Sequence, residues 1–279
     1  MRTLDGKVVV ITGAGSGIGR ALAVEVGGRG GLLALSDVDE VGLAETARLA
    51  TAAGAREVRT DRLDVADRAA VAAYAREVAG NFDRVHVLVN NAGVSLSGDV
   101  ADLSYADLDW IVGVNFWGVV HGTKEFLPHL IASGDGHVVT ISSLFGLVSM
   151  PGQGAYNATK YAVRGFTEAL REEMLVAGHP VGVTVVHPGG IKTAIARNAR
   201  VAGDLDAAEL ARHSTSGSRG WSPSGRLDHR RRDAGREGAG AGGTRRPRAA
   251  PRGQAARVAL PGPRGAGSPP AASSGATRP

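Results

Sequence analysis

Six short apolar runs punctuate most of the chain. They are Val8-Val9-Val10-Ile11, Leu32-Leu33-Ala34-Leu35, Val58 to Asp64, Val85-His86-Val87-Leu88-Val89, His137 to Ile141 and Val181 to Val186. Runs of this length, rich in β-branched residues and without polar alternation, suit strands covered on both faces. Between them lie longer stretches with the spacing of amphipathic helices: one containing Ala21–Val26, then about Glu40–Ala52, Asp67–Ala79, Tyr105–Ile131 and Ala155–Ala177. Six strands alternating with five helices predict an α/β fold, a doubly wound and mostly parallel sheet with right-handed crossovers. No internal repeat is visible.

The turns after the strands carry the chemistry. The first strand runs into Thr12-Gly13-Ala14-Gly15-Ser16-Gly17-Ile18-Gly19 and then into a helix. Strand, glycine-rich turn and helix form a Rossmann-like dinucleotide cradle, with close backbone approach to a pyrophosphate and unpaired N–H groups at the helix start. The spacing Gly13-x-x-x-Gly17-x-Gly19 departs from the common G-x-G-x-x-G, and a plain flexible loop is the competing reading. Asp37 closes the second strand, eighteen residues beyond Gly19. A carboxylate there accepts hydrogen bonds from ribose hydroxyls and repels a 2′-phosphate, favouring NAD over NADP; an ordinary N-cap or turn aspartate is the alternative. Asn90-Asn91-Ala92-Gly93 follows the fourth strand, where open sheets bind ligands, although asparagine and glycine are also common turn residues.

Tyr156 and Lys160 stand four apart at the start of the last long helix. On a helix such positions share a face, about 5–6 Å apart at Cβ. A tyrosine ionises near pH 10, about three units above neutrality, and a nearby ammonium favours the phenolate that acid/base work requires. Taken alone, the pair is ordinary helix surface. Asn115 lies mid-helix, where asparagine is a poor helix former; it is a satisfied polar residue or a backbone perturbation that holds a water near a site.

Composition narrows the classes. The 279 residues are 43% hydrophobic, enough for a core, and contain no cysteine, which excludes disulfides, thiolate metal sites and cysteine nucleophiles. No metal-ligand pattern is present. No eighteen-residue apolar run predicts a membrane span, and no secretory h-region follows Met1, which is compatible with a cytoplasmic protein. The net charge of +5 conceals two parts: from Ser214 to Pro279 thirteen arginines face three acids, a balance of +10, leaving −5 on the rest.

From about Leu4 to Ala199 the chain resembles the short-chain dehydrogenase/reductase family. The resemblance rests on Thr12-Gly13-x-x-x-Gly17-x-Gly19, Asp64, Asn90-Asn91-Ala92-Gly93, Asn115, Ser143 thirteen residues before Tyr156-x-x-x-Lys160, and Pro188-Gly189, all in the family's order. It implies a hydride transfer between NAD, with NADP the lesser alternative, and a secondary alcohol/ketone pair. It implies Tyr156 as acid/base, Lys160 lowering its pKa and holding the nicotinamide ribose, Ser143 bonding the substrate oxygen, and Asn115 supporting a relay water. Gly13, Ser16, Gly17, Ile18, Gly19, Asp37, Asp64, Val65, Asn91, Ala92, Gly93, Tyr156, Lys160, Pro188, Gly189, Ile191 and Thr193 would bind the cofactor. It further implies a homodimer or homotetramer through the two long helices.

The resemblance stops after about Arg200, where the family continues into a substrate-covering helix and an edge strand. The single domain is therefore placed at 1–213, incomplete at its C-terminal end, with a low-complexity tail at 214–279. Gly, Ala, Arg and Pro make up 46 of the tail's 66 residues. Such a segment buries too little apolar area to offset its ordering entropy. Three readings compete: a disordered basic tail for nucleic acid or an acidic surface, an extension without a role, or a GC-rich gene read out of frame. The absence of lysines and interleaved aromatics disfavours nucleic acid, and the frame-shift reading is preferred. A cofactor-binding homologue impaired by its missing lid is the alternative to an active enzyme. Leu96, Leu144, Phe145, Val148 and Met150 flank the motifs as an apolar pocket wall or, equally, as core.

Overall fold

A computed structural model describes residues 3–189 and 199–201. Six strands form one parallel sheet: β1 (Val8–Thr12), β2 (Leu32–Asp37), β3 (Glu57–Arg62), β4 (Val87–Asn90), β6 (Gly136–Ile141) and β7 (Val181–Val186), in the order β3-β2-β1-β4-β6-β7. The order reverses at β1, so β1 and β4 are direct neighbours, with Val9 opposite Val87 and Ile11 opposite Val89. That reversal opens a crevice at the carboxyl ends of β1 and β4. A separate two-stranded pair joins β5 (Leu96–Ser97) to β8 (Arg200–Val201).

The helices cover both faces, as the unbroken apolar strands require. They are α1 (Gly17–Gly28), α2 (Glu40–Ala53), α3 (Arg68–Phe82), α4 (Tyr105–Val112), α5 (Gly118–Ala132) and α6 (Gly154–Ala177). Val9, Ile11, Leu33 and Leu35 point to one face and meet Ala23, Val26 and Leu43 of α1 and α2. Val10, Leu88 and Val138 point to the other and meet Val71 of α3, Phe126 of α5 and Leu170 of α6. Adjacent residues of one strand thus serve opposite cores, the two-residue period of a strand.

The helix expected over Tyr105–Ile131 is not continuous. Gly113–Trp117 forms a π-helical turn between α4 and α5, with Asn115 at its centre. Where five helices are predicted, six α-helices are found among the described residues. At that turn the Asn115 side-chain amide bonds both backbone groups of Val94.

Candidate active site

Each cofactor-side feature is built by backbone constraint. Gly13 turns the chain at φ +65°, and a Cβ there would lie 2.7 Å from the Ala92 Cα. A side chain at Gly19 would strike the Gly13 carbonyl. Only hydrogen fits at both places, so the turn and the start of α1 are packed directly on the Asn91–Ala92 segment. Thr12 and Asn91 staple the two turns together. The Thr12 hydroxyl accepts from the N–H groups of Asn91 and Ala92, both at 3.1 Å. The Asn91 amide donates to the carbonyls of Thr12 and Gly13, both at 2.9 Å.

The resulting cleft has a volume of about 520 Å³. Gly13, Ser16, Gly17 and Ile18 line its first turn, and Asp37, Asp64 and Val65 line one end. Asn91, Ala92 and Gly93 form its middle; Ser143, Tyr156, Lys160, Pro188 and Gly189 line the other end. Gly19 lies beneath the turn, against Gly13 and the Asn91 amide. Ile191 and Thr193 lie outside the described residues. Sequence reasoning missed Val94, Ser95, Trp110 and Val114, which line the cleft but belong to no turn motif.

Tyr156 and Lys160 are both buried, at 9% and 4% exposure. The phenol is pushed above its ordinary value by that burial, and the nearby Ser143 hydroxyl pulls the other way. Burial also lowers the Lys160 ammonium to about 8. Its Nζ donates to the Ile141 carbonyl at 3.0 Å. Phe145 packs edge-on against the Tyr156 ring, with centroids 6.1 Å apart.

Asn115 stands behind this group rather than in the cleft wall. At 1% exposure, its Oδ1 accepts from the Val94 N–H at 2.8 Å and its Nδ2 donates to the Val94 carbonyl at 2.9 Å. Nδ2 also lies 3.2 Å from the Thr159 Oγ1, which itself donates to the Tyr156 carbonyl at 2.9 Å. A further residue, Asn157, was not marked by any motif. Its amide donates to the carbonyls of Phe145 and Val148, both at 2.8 Å, and thereby shapes the loop after Ser143.

The apolar candidates divide. Leu96 is core, at 1% exposure. Leu144, Val148 and Met150 are exposed on the loop that Asn157 holds, so core packing does not account for them. Trp110 carries the Arg200 guanidinium on its ring, 3.7 Å from the centroid.

A glycine cradle at the sheet's switch point, facing a Ser-Tyr-Lys cluster, is the arrangement against which the known proteins compare. The profile described as short chain dehydrogenase matches residues 7–202. The chain belongs to the short-chain dehydrogenase/reductase family. SadH of Mycobacterium tuberculosis is 64% identical over 206 residues, 74% of each chain. Epidermal retinol dehydrogenase 2 of Homo sapiens is 36% identical over 193 residues, 69% of this chain and 62% of that one. A short chain dehydrogenase/reductase from Burkholderia phymatum, solved in complex with NAD, superposes with a TM-score of 0.69 at 43% identity, covering 71% of this chain and 70% of that chain. Levodione reductase gives 0.66 at 33% identity, covering 69% and 74%. The chain is therefore an oxidoreductase of this family with a nicotinamide dinucleotide fold. Among the described residues no helix is long and apolar enough to cross a membrane.

Proposed function

We propose that this protein transfers a hydride between NAD and a secondary alcohol/ketone pair, with Tyr156 as the acid/base. The observation that carries the reading is the convergence of Ser143, Tyr156 and Lys160 on the end of a cleft whose other end is a glycine cradle. The cradle fits a dinucleotide: side chains at Gly13 and Gly19 would fill the space against Ala92 and the Gly13 carbonyl, and the start of α1 presents its N–H groups there. The cofactor, when bound, supplies or accepts the hydride. In carbonyl reduction the Tyr156 O–H gives its proton to the substrate oxygen as the carbon takes the hydride; in alcohol oxidation the phenolate takes it back. The Ser143 hydroxyl donates to the oxygen on which charge develops. Lys160 would hold the nicotinamide ribose and, while it keeps its proton, favour the phenolate. Asn115 supports a relay water from behind.

NAD is favoured over NADP because Asp37, Asp39 and Asp64 line the adenosine end. A 2′-phosphate there would meet carboxylates in a partly dry site, where repulsion is weakly screened. Pro188 and Gly189, with Ile191 and Thr193 beyond, serve the nicotinamide end. A neutral alcohol or ketone suits the substrate end, where Val94, Trp110 and Val114 form the wall. The name retinol dehydrogenase, carried by a relative, agrees with an apolar alcohol. The protein acts in the cytoplasm as a homodimer or homotetramer; Tyr105, Trp117 and Tyr161, on the segments named for that contact, are all at least 40% exposed. The domain ends near residue 213, and the Gly/Ala/Arg/Pro-rich remainder arises from a shifted reading frame.

The test is titration of the full chain with NADH by fluorescence, followed by turnover of NAD with a panel of secondary alcohols. Binding together with turnover that is lost in Tyr156→Phe supports the reading. Binding without turnover in any alcohol supports the impaired homologue, and absence of binding rejects both.

A further inference from the structure

Arg20 follows the glycine-rich turn directly, where a cation would ordinarily be read as a phosphate ligand. Its guanidinium is committed elsewhere. Nη2 donates to the carbonyl of Gly15 and, at 3.1 Å, to that of Gly42 in the first turn of α2. Nε donates to the Thr46 hydroxyl at 2.9 Å. Thr46 is fully buried, and its Oγ1 in turn lies 2.9 Å from the Ala14 carbonyl. The turn and α2 are in direct contact here, since a Cβ on Gly42 would come within 2.6 Å of the Gly15 carbonyl.

Gly15 is consequently held at both of its backbone polar groups. Its carbonyl accepts from Arg20, and its N–H donates to Asp37 Oδ2 at 2.7 Å. The other carboxylate oxygen of Asp37 accepts from the Asp39 N–H at 3.0 Å. Two backbone donors thus set the plane of the carboxylate that faces the adenosine end of the cleft. One of them belongs to the Ala14–Gly15 peptide, whose carbonyl meets the Thr46 hydroxyl that Arg20 also bonds, while Arg20 itself holds the carbonyl of the next peptide.

We infer that Arg20 is a positioning residue for cofactor choice: through Gly15 it aims the Asp37 carboxylate, and it does not itself bind phosphate. This rests on the reading that the cleft takes NAD. Loss of the brace frees the peptides on both sides of Gly15 to rotate, and Asp37 then keeps its charge but loses its orientation. NAD loses a ribose acceptor. NADP loses only part of a repulsion.

The experiment measures dissociation constants of NADH, NADPH, ADP-ribose and reduced nicotinamide mononucleotide for the full chain and for Arg20→Met, Arg20→Lys and Thr46→Val. Arg20→Met should weaken NADH and ADP-ribose together by about tenfold, the worth of one to two hydrogen bonds. It should leave the mononucleotide unchanged and NADPH unchanged or tighter. Arg20→Lys should restore part of the NADH affinity, and Thr46→Val should move the NADH/NADPH ratio in the same direction as Arg20→Met. If Arg20→Met does not fold, the lysine and valine variants read the same ratio. Parallel weakening of NADH and NADPH would reduce Arg20 to a brace without a part in discrimination, and a larger loss for NADPH would make it a phosphate ligand; either overturns the inference. Wild-type protein that binds neither dinucleotide would instead reject the cofactor reading beneath it.

Discussion

The Lys160 ammonium lies 5.6 Å from the centre of the Tyr156 ring while donating its hydrogen bond to the Ile141 carbonyl. It is a buried cation whose hydrogen-bond partner is a neutral oxygen, and burial lowers it from 10.5 to about 8. The unfolded chain therefore holds this proton more tightly than the folded one between those two values. Stability should rise as pH increases through that window, because the penalty of burying the charge is present below about 8 and is relieved above it. The relief amounts to about 3 kcal/mol by linkage. Denaturation of wild type and Lys160→Met at pH 7.5 and 10, without cofactor, checks this. A pH dependence that survives in the methionine variant would assign it to other groups.

Tyr156→Phe removes the proton donor but keeps the buried ring against Phe145. NADH binding should persist within a few-fold, whereas turnover should fall by about 10²–10⁴. Because burial raises the wild-type phenol, the base form grows with pH across the neutral range. Alcohol oxidation should accelerate by nearly tenfold per pH unit there, and carbonyl reduction should not. A flat oxidation profile would argue against Tyr156 as the base.

Asn115 tests the π-helical turn. Its amide satisfies both backbone groups of Val94, and replacing it by alanine leaves those groups without their partner, at a cost of about 1–3 kcal/mol. Asn115→Asp keeps an acceptor for the Val94 N–H but sets a carboxylate beside the Val94 carbonyl and the Thr159 hydroxyl. Both variants should unfold at lower denaturant than wild type, with aspartate no better than alanine. Equal midpoints would mean that the turn is held by packing alone.

Much of this was legible because hydrophobic runs and turn chemistry are local. Val8–Ile11 reads as a doubly covered strand from its own residues, and Gly13 and Gly19 advertise a close backbone approach. Asn115 was visible as a poor helix former, although the split into α4 and α5 was not, because its side-chain partner, Val94, lies in a distant turn. Arg20, Thr46 and Asn157 were silent for the same reason. Each looks like an unremarkable helical polar residue, and its work depends on which carbonyls the tertiary fold brings to it. Trp110 and Val114 line the cleft from α4 and the π-helical turn, and no turn motif marks either.

Asp37 and its neighbour Val38, which is 56% exposed, offer a direct switch. Asp37→Ser with Val38→Arg removes a charge that repels a 2′-phosphate and adds one that attracts it. The NADH/NADPH affinity ratio should fall by about 10² or more, an electrostatic difference of roughly 3 kcal/mol. Wild type that prefers NADP would overturn the premise.

The last expectation concerns the end of the sheet. β7 pairs with β6 over its full length, from Gly136 opposite Val181 to Ile141 opposite Val186. Its other edge has no strand partner among the described residues, and Gly182, Thr184 and Val186 are exposed on one face of the same strand. An uncovered edge invites association with another chain. The family profile ends at residue 202, and the 64% identity to SadH extends over 206 residues, 74% of each chain. High identity giving way to a Gly/Ala/Arg/Pro mixture of +10 is the pattern on which the proposed one-base shift rests. Sequencing should reveal a shift near codon 213 whose repair restores an aliphatic strand pattern. The repaired protein should turn over faster by orders of magnitude at equal cofactor saturation, since a covered site excludes water and positions substrate. It should also sediment as a single species, and the present chain as a heterogeneous mixture. Equal turnover of the two proteins would show that residues 214–279 take nothing from catalysis, and a gene in which no shift restores a strand would remove the frame-shift account.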